Sequence, residues 1–266
     1  MSRPGARAAP TPVPSPAPAA APGTGTWVVV PTYDEAGNLE AIAGAILQQL
    51  SGATLLVVDD GSPDGTGDLA AAMGARDPRV RVLRRIHKAG LGRAYLAGFA
   101  IALDGGAEKI VQMDADWSHD PGYLPALLEA LEHADLVIGS RYAPGGGVRD
   151  WGFIRRTISR GGSLFARIVL GLSPRDLTGG YKAWRATTLA ALPRESVHAG
   201  GYVFQIEMTY LADRLGARIV ELPIVFRDRR VGHSKMSRRI IAEALLVVVT
   251  LRVAELFGRG PRPPGR

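Results

Sequence analysis

The chain has 266 residues, of which 46% are hydrophobic, so it can bury the core of one large domain or two small ones. It contains no cysteine, which excludes disulfides and thiolate metal sites and leaves oxygen or imidazole to hold any metal. Its formal net charge of +7 indicates an anionic partner, such as a phosphorylated ligand, nucleic acid or an acidic membrane surface.

The first half of the chain predicts a flexible tail followed by alternating strands and helices. Residues 1–24 are mainly Pro, Ala, Gly, Ser and Thr, and they contain too few large apolar residues to form a core. Strands are predicted at 27–30, 54–58, 80–83, 110–113 and 136–138, and helices at 39–50, 67–75, 90–103 and 121–132. This alternation predicts an α/β fold with a mostly parallel, doubly wound sheet.

The second half is less regular. A glycine-rich loop at 142–152 leads into a predicted helix, and a basic loop at 227–235 leads into the last one. The predicted elements are a helix at 153–172, a short strand or turn at 178–184, a helix at 203–215, a strand at 219–226 and a helix at 237–257. Pro223 interrupts the last strand, which favours the edge of a sheet because proline cannot donate a ladder hydrogen bond.

Two carboxylates, Asp114 and Asp116, directly follow the predicted strand at 110–113. Ligands of open α/β sheets bind at this end of the strands. Neighbouring carboxylates repel each other unless a cation lies beside them, and Mg²⁺ usually binds one or two carboxylates together with substrate phosphates. The pair therefore predicts a metal and diphosphate site, while a polar turn that closes the strand is the alternative for an isolated D-x-D. The sequence has neither a GxGxxG after the first strand nor a GxxxxGK[ST] P-loop.

Eight segments carry a resemblance when they are taken together. They are PTYDEAGN at 31, VVDDGSPDGT at 57, KAGLGRAYLAGF at 88, MDADWSHDP at 113, IGSRY at 138, DLTGGYKAW at 176, GYVFQIEM at 201 and HSKMS at 233. In this order they resemble the polyprenol-phosphate mannosyltransferases, the dolichol-phosphate-mannose synthase type of the inverting family 2 glycosyltransferases. The resemblance covers nearly all of residues 27–243. It implies a GT-A fold, GDP-mannose as the donor, Mg²⁺ or Mn²⁺ as the cofactor and a polyprenyl phosphate as the acceptor.

The resemblance also implies roles for residues on the donor side. The residues expected around the guanine nucleoside are Pro31, Tyr33, Glu35 and Asp60. The residues expected at the metal and the donor diphosphate are Asp114, Asp116 and Ser118. Ser118 stands where some relatives carry Gln, and a hydroxyl is a shorter and weaker metal ligand. The residues expected in a loop that closes over the donor phosphates are Arg227 or Arg229 and Lys235.

On the acceptor side the resemblance implies a phosphate site formed by Arg141, Arg155 and Ser159. The expected catalytic residues are Asp116, Arg141 and Arg227. Some candidate residues have a structural alternative. Asp59 and Asp60 also fit caps of a turn or helix, and Tyr33 also fits a packing residue. The helix arginines also fit a solvated face; they are Arg155, Arg156 and Arg160. His119 is interpreted as structural, because no ligand-spaced companion accompanies it.

The residue types suit sugar transfer between phosphates. A divalent cation held by Asp114 and Asp116 would stabilise the charge that grows on a leaving diphosphate. A phosphate monoester is already anionic at pH 7 and needs no general base, and arginine binds its oxygens in a bidentate manner. A single displacement would invert the anomeric carbon, giving a β-linked product from an α-linked donor for lipid-linked mannosylation. The alternatives are glucosyl transfer from a UDP-sugar and a non-catalytic nucleotide-sugar-binding subunit.

The domain and membrane predictions complete the sequence-based hypothesis. The predicted segments are a tail at 1–24, a glycosyltransferase domain at 25–236, a helix at 237–258 and a basic tail at 259–266. The last helix is either a core or dimer helix or an interfacial helix on the membrane. No apolar run approaches the roughly 18 to 20 residues of a membrane-spanning helix. We therefore expect a peripheral protein at the cytoplasmic face of the plasma membrane or in the cytoplasm. It would bind the bilayer itself or a separate membrane protein, and no nucleic acid.

Overall fold

A computed structural model of the protein describes residues 20–194, 197, 201–228 and 238–258. The strands within these residues are β1 Thr26–Thr32, β2 Thr54–Asp59, β3 Val80–Arg84, β4 Lys109–Gln112, β5 Leu136–Ser140, β6 Gly147–Val148, β7 Lys182–Arg185, β8 Ile219–Pro223 and β9 Val225–Phe226. The helices are α1 Ala36–Gln49, α2 Thr66–Arg76, α3 Leu91–Asp104, α4 Leu124–Leu131, α5 Phe153–Leu170, α6 Ala186–Ala191, α7 Gly201–Arg214 and α8 Arg238–Leu256.

The central sheet has the strand order β3-β2-β1-β4-β7-β5-β8. Every strand in it runs parallel to the others except β7, which is antiparallel to both β4 and β5. The predicted mostly parallel sheet is therefore confirmed. Strands β6 and β9 form a separate parallel pair.

Strand β1 explains why the sheet carries helices on both faces. Its side chains alternate: Trp27 and Val29 join one buried cluster with the α3 residue Phe99, and Val28 and Val30 join a second cluster with Leu39 of α1. A parallel strand that is buried on both faces has a nearly continuous apolar sequence, and β1 has one. The doubly wound arrangement follows from this pattern.

Three predicted elements need correction. The helix predicted at 121–132 is a 3₁₀ turn, Pro121–Tyr123, followed by α4, and Asp120 accepts a hydrogen bond from the amide of Gly122 at its start. The strand predicted at 219–226 divides after Pro223 into β8 at the sheet edge and β9 in the second sheet. The loop at 142–152 contains the short strand β6, which pairs with β9.

Both termini of the described chain contact the domain. In the segment assigned to the tail, the carbonyl of Pro22 accepts a hydrogen bond from the amide of Gly52 at 2.7 Å. At the other end, α8 packs against α5 and α7, and Arg214 of α7 forms an ion pair with Glu255 at 2.6 Å. Within the described residues, no helix combines the length and the apolar composition needed to cross a membrane.

Candidate active site

The predicted site residues lie at one edge of the central sheet. Strands β1, β2, β4 and β5 all run in the same direction, so the residues that follow them meet at this edge. Those residues are Tyr33 after β1, Asp60 after β2, Asp114 after β4 and Arg141 after β5. The fold therefore brings together side chains from four separate segments of the sequence.

The pocket wall at β1 and β2 carries an aromatic ring and a buried carboxylate. The ammonium of Lys88 lies 3.3 Å from the ring centroid of Tyr33, a cation–π contact. Asp60 is buried, forms an ion pair with Arg85, and accepts a longer hydrogen bond from the amide of Ala89 at 3.4 Å. The two loops that follow β2 and β3 are therefore tied together through Asp60.

The first loop, after β1, is held by hydrogen bonds to the second. The amide of Glu35 donates to the hydroxyl of Thr66 at 3.0 Å, while the Glu35 carboxylate accepts from Asn38 at 2.8 Å. Pro31 lies in β1 opposite Val58 of β2 and is half-buried. These contacts attach Glu35 to the start of α2 and place Pro31 within the sheet.

The D-x-D segment forms a tight turn whose carboxylates have defined partners. Asp114 Oδ1 accepts a hydrogen bond from the hydroxyl of Tyr95 at 2.9 Å, and Asp116 Oδ1 accepts from the amide of Ser118 at 3.1 Å. Trp117 has a φ of 65°, in the left-handed region that is uncommon for a bulky residue. Strain of this kind is characteristic of backbone held in place for a functional site.

His119 is hydrogen-bonded to the backbone of this turn. Its Nδ1 accepts a hydrogen bond from the amide of Asp114 at 3.0 Å, so Nδ1 carries no proton. Burial lowers the pKa of His119, although Asp114 and Asp116 act in the opposite direction, and the ring stacks on Tyr181 with centroids 4.8 Å apart. A neutral, buried imidazole that fixes a backbone amide agrees with the structural role predicted for this histidine.

The oxygen atoms of this turn fit a hard divalent cation. Asp114 and Asp116 supply carboxylate oxygens, and the buried hydroxyl of Ser118 has no hydrogen-bond partner among the described residues. Across all the residues that the structure describes, no cluster of three or more His, Cys, Asp or Glu side chains could hold a metal ion. Mg²⁺ and Mn²⁺ suit such a sparse, oxygen-only set, because substrate phosphates complete their coordination.

Arg141 is held by a buried carboxylate that the sequence did not single out. Its Nε and Nη2 donate to Asp176 at 2.7 and 2.6 Å, and its backbone amide donates to the same carboxylate at 2.9 Å. Nη2 also donates to the hydroxyl of Thr178 at 2.8 Å. Burial alone would raise the pKa of Asp176, but the charge and the hydrogen bonds of Arg141 lower it overall. The pair is therefore ionised at neutral pH.

The three predicted acceptor residues cluster around two aromatic rings. The guanidinium carbons of Arg141 and Arg155 lie 5.4 and 4.2 Å from the ring centroid of Trp151. Arg155 also contacts both oxygens of Asp228, at 2.8 and 2.7 Å. Ser159 accepts a hydrogen bond from the hydroxyl of Tyr142 at 2.7 Å. Two cations and a hydroxyl thus converge beside the end of β5.

Antiparallel β7 connects the two halves of this site. Lys182, the first residue of β7, lies opposite Gln112 of β4 on one side and Ile138 of β5 on the other. The preceding segment, residues 178–181, therefore lies at the sheet edge between Asp114 and Arg141. This arrangement gives one continuous site with a carboxylate half and an arginine half.

Comparison with known proteins identifies the family to which this chain belongs. The sequence model described as Glycosyl transferase family 2 matches residues 27–192. The chain belongs to glycosyl transferase family 2. Its membership confirms that it is a glycosyltransferase, and the predicted GT-A fold is confirmed as well.

Two curated relatives in this family are similar over most of their length. The undecaprenyl-phosphate mannosyltransferase of Micrococcus luteus is 50% identical over 83% of this chain and 90% of its own. The polyprenol monophosphomannose synthase of Mycolicibacterium smegmatis is 47% identical over 84% of this chain and 85% of its own. Among solved structures, glucosyl-3-phosphoglycerate synthase from Mycobacterium tuberculosis, in complex with Mn²⁺, UDP and glucosyl-3-phosphoglycerate, matches with a TM-score of 0.59 at 25% identity. That match covers 91% of this chain and 82% of the synthase.

The remaining predicted residues of this family 2 glycosyltransferase lie in the segment after β9. Arg227 is exposed and directly precedes Asp228, the partner of Arg155. Arg229 and Lys235 lie outside the described residues. Sequence reasoning missed Tyr95 and Asp176, which contact Asp114 and Arg141. A tyrosine on a helix and an aspartate before a turn resemble ordinary packing and capping residues. The signal in the sequence was that each lies within one of the eight segments that carry the family resemblance.

Proposed function

We propose that this protein transfers mannose from GDP-mannose to a polyprenyl monophosphate with inversion, giving polyprenyl-phosphate β-mannose. The observation that carries the proposal is the juxtaposition of a carboxylate turn and an arginine cluster at one sheet edge, joined by residues 178–181. Transfer between two phosphate-bearing substrates needs such a divided site. The names of the two mannosyltransferase relatives support the choice of sugar and acceptor.

On the donor side, Asp114 and Asp116 would hold Mg²⁺ or Mn²⁺ and thereby the diphosphate of the nucleotide. The bound cation supplies charge stabilisation to the leaving diphosphate. Tyr95 and His119 keep Asp114 in place through hydrogen bonds to its carboxylate and its amide. The nucleoside would lie against Pro31, Tyr33, Glu35 and Asp60, while Arg227, Arg229 and Lys235 would cover the phosphates.

On the acceptor side, Arg141, Arg155 and Ser159 would bind the lipid phosphate and aim one of its oxygens at the anomeric carbon. That oxygen is already anionic, so the reaction needs no proton acceptor. Asp176 and Asp228 balance the two arginines in the absence of substrate, which keeps two buried or half-buried cations from repelling each other. An acceptor dianion would then interact with preoriented guanidinium groups.

Helix α5 supports a membrane-bound acceptor. Its buried residues are Ser159, Ser163, Ala166 and Leu170, while several of its large apolar side chains are exposed. Phe153 is 81% exposed, and the exposed set continues with Ile154, Leu164 and Ile168. Arginines on the same helix accompany them, at positions 155, 156, 160 and 167. Apolar side chains flanked by arginine match the boundary of an anionic bilayer, with Arg155 and Ser159 beneath it.

Helix α8 extends this surface beside α5. Val248 is buried in the core, whereas Leu246, Val249, Val253 and Leu256 are exposed at helical spacing. Both predicted roles of this helix, core packing and membrane contact, are therefore compatible with its two faces. We propose that the protein binds the membrane peripherally from the cytoplasmic side, through this surface or with a membrane protein partner.

Product formation tests the proposed donor. Purified protein, polyprenyl phosphate and Mg²⁺ are incubated with GDP-mannose or with UDP-glucose, and the lipid-linked sugar is measured. We expect transfer from GDP-mannose. Exclusive use of UDP-glucose would overturn the donor assignment in favour of a glucosyltransferase, and absence of transfer from either would favour a subunit that binds nucleotide-sugars without turnover.

A further inference from the structure

A chain of buried hydrogen bonds leads from the core to the carboxylate half of the site. The indole nitrogen of Trp184 donates to Gln112 Oε1 at 2.6 Å, and Gln112 Nε2 donates to Gln205 Oε1 at 3.4 Å. All three side chains are buried. An indole N–H can only donate, so it determines which end of Gln112 carries the oxygen, and Gln112 in turn determines the orientation of Gln205.

The last donor of this chain has no acceptor in the described protein. Gln205 is 1% exposed, and its Nε2 has no hydrogen-bond partner among the described residues. Turning the amide round would place two NH₂ groups against each other at Gln112, so the unsatisfied donor cannot be removed by a flip. A buried amide hydrogen without an acceptor costs free energy, and such groups in native proteins call for an explanation.

The unsatisfied amide faces the same space as the D-x-D carboxylate. A Cβ atom placed on Gly180 would lie 3.5 Å from Gln205 Nε2 and 3.8 Å from Asp114 Oδ2. The other carboxylate oxygen of Asp114, Oδ1, accepts the hydrogen bond from the hydroxyl of Tyr95. Gly180 lies in the segment 178–181, between the carboxylate half and the arginine half of the site. The amide therefore lies next to the segment that joins the two halves of the site.

We propose that Gln205 is a specificity-determining residue whose Nε2 donates a hydrogen bond to a hydroxyl oxygen of the transferred hexose. This inference rests on the proposed function, because it assigns the sugar to the space between the two halves. A neutral amide suits a hydroxyl, whereas substrate phosphates would bind the arginines and the divalent cation of the proposed site. A site that leaves a buried donor unpaired discriminates strongly against a sugar that lacks the matching oxygen.

The test combines one variant with a series of donors. Gln205→Met keeps the length of the side chain and removes the amide. Its kcat/KM and that of the wild type are measured with GDP-mannose and with the 2-, 3-, 4- and 6-deoxy derivatives of its sugar. Gln48→Met, on an exposed position of α1, is the matched control. GDP, which lacks the sugar, is used as a competitive inhibitor to measure binding of the nucleotide alone.

We expect Gln205→Met to lower kcat/KM for GDP-mannose at least about tenfold while the inhibition constant of GDP stays within about twofold. With one of the deoxy donors, the kcat/KM of the wild type should fall to a similar degree. The kcat/KM of the variant should be the same with that donor as with GDP-mannose. An equal penalty with every deoxy donor, or weaker GDP binding in parallel, would overturn the proposal. If Gln205→Met does not fold, Gln205→Asn, which retracts the amide by one methylene, provides the same comparison.

This outcome is distinct from failure of the proposed function. If the wild type transfers glucose from UDP-glucose instead of mannose, the GDP-mannose assignment falls. The same comparison with deoxyglucose donors and UDP as the inhibitor then decides the role of Gln205 by the same criteria.

Discussion

Arg141 and Asp176 form a two-point ion pair in which the side chains are only 4% and 0% exposed. Both contacts are short, at 2.7 and 2.6 Å, and the backbone amide of Arg141 adds a third. The carboxylate also accepts from the amide of Gly179 at 3.0 Å, so it links the end of β5 to the segment that precedes β7. Asp176 therefore determines both the direction of the acceptor-side guanidinium and the course of residues 178–181.

Replacing Asp176 with Asn should reduce both stability and transfer. The variant leaves a buried guanidinium without its counterion, a change that costs about 3 to 5 kcal/mol in comparable buried pairs. Denaturant unfolding measures the loss of stability, and kcat/KM for polyprenyl phosphate measures the loss of transfer. Asp68→Asn is the control, because Asp68 and its partner Arg84 are largely exposed and such pairs contribute little. Equal stability of the two variants would contradict the role given to Asp176.

Replacing Asp116 with Ala should lower mannosyl transfer by two or more orders of magnitude while the fold survives. The side chain would lose its contact with the metal, and with it the stabilisation of the leaving diphosphate, an effect of about 10²-fold or more. Activity assays and Mn²⁺ titration in the presence of GDP measure the two consequences. Asp104→Ala, at an exposed position near the end of α3, is the control. Unchanged transfer would exclude Asp116 from the metal site.

The carboxylate half of the site could be predicted because it depends on strand ends. Apolar runs at 54–58 and 110–113 indicate buried strands, and in a parallel sheet the residues after them must share an edge. Asp60 and Asp114 follow from this rule without knowledge of any distance. The position of β7 between β4 and β5 could not be predicted, because a strand of four residues has no clear periodicity.

The arginine half of the site and the buried amides depend on contacts between residues that are far apart in the sequence. Asp176 meets Arg141 across 35 positions of sequence, and Gln112 meets Gln205 across 93. A glutamine within an apolar strand predicts burial, but its hydrogen-bond partner follows only from the packing of α7 on the sheet. Tyr95 similarly resembles a core residue of α3 until its hydroxyl is seen beside Asp114.

The stability difference between Lys182→Met and the wild type should depend on pH. Lys182 is fully buried and donates to the carbonyl of Gln205 and the hydroxyl of Thr209 at 2.7 and 2.8 Å. Burial lowers its pKa from 10.5 to about 7, and Asp176 opposes this only in part. At pH values between the folded and the unfolded pKa of Lys182, the unfolded chain binds more protons than the folded chain. Wild-type stability therefore falls as the pH is lowered through this range.

Lys182→Met removes this proton linkage. The Tm of the variant minus that of the wild type should therefore become more positive as the pH is lowered from 9 to about 7, and it should level off below that. Thermal melts at four pH values measure the trend. Lys109→Met, at the opposite end of the neighbouring strand β4, is the matched control. A Tm difference that is independent of pH for Lys182→Met would show that the lysine keeps an ordinary pKa in the folded protein.

The double variant Phe153→Ser with Ile154→Ser should weaken binding to anionic liposomes. Both side chains are exposed on α5, at 81% and 74%, and burying them at a bilayer surface would contribute favourable transfer free energy. Co-sedimentation at low salt should show a loss of about tenfold or more in partitioning. Ile86→Ser is the control, because Ile86 is 98% exposed but follows β3, the edge strand at the opposite end of the sheet from β8. An equal loss in both would contradict a membrane surface centred on α5.

Replacing Gly180 with Ala should impair transfer without destabilising the protein. The added Cβ would make ordinary contacts, at 3.5 Å from His119 Cε1 and from Gln205 Nε2, so the fold can accept it. The methyl group would nevertheless occupy the space that we assign to the sugar, and we expect kcat/KM to fall at least about tenfold. Gly44→Ala on α1, where a Cβ meets nothing within 4 Å, is the matched control. Full activity of Gly180→Ala would mean that the sugar lies elsewhere, because a hexose and this methyl group cannot share the space between Asp114 and Gln205.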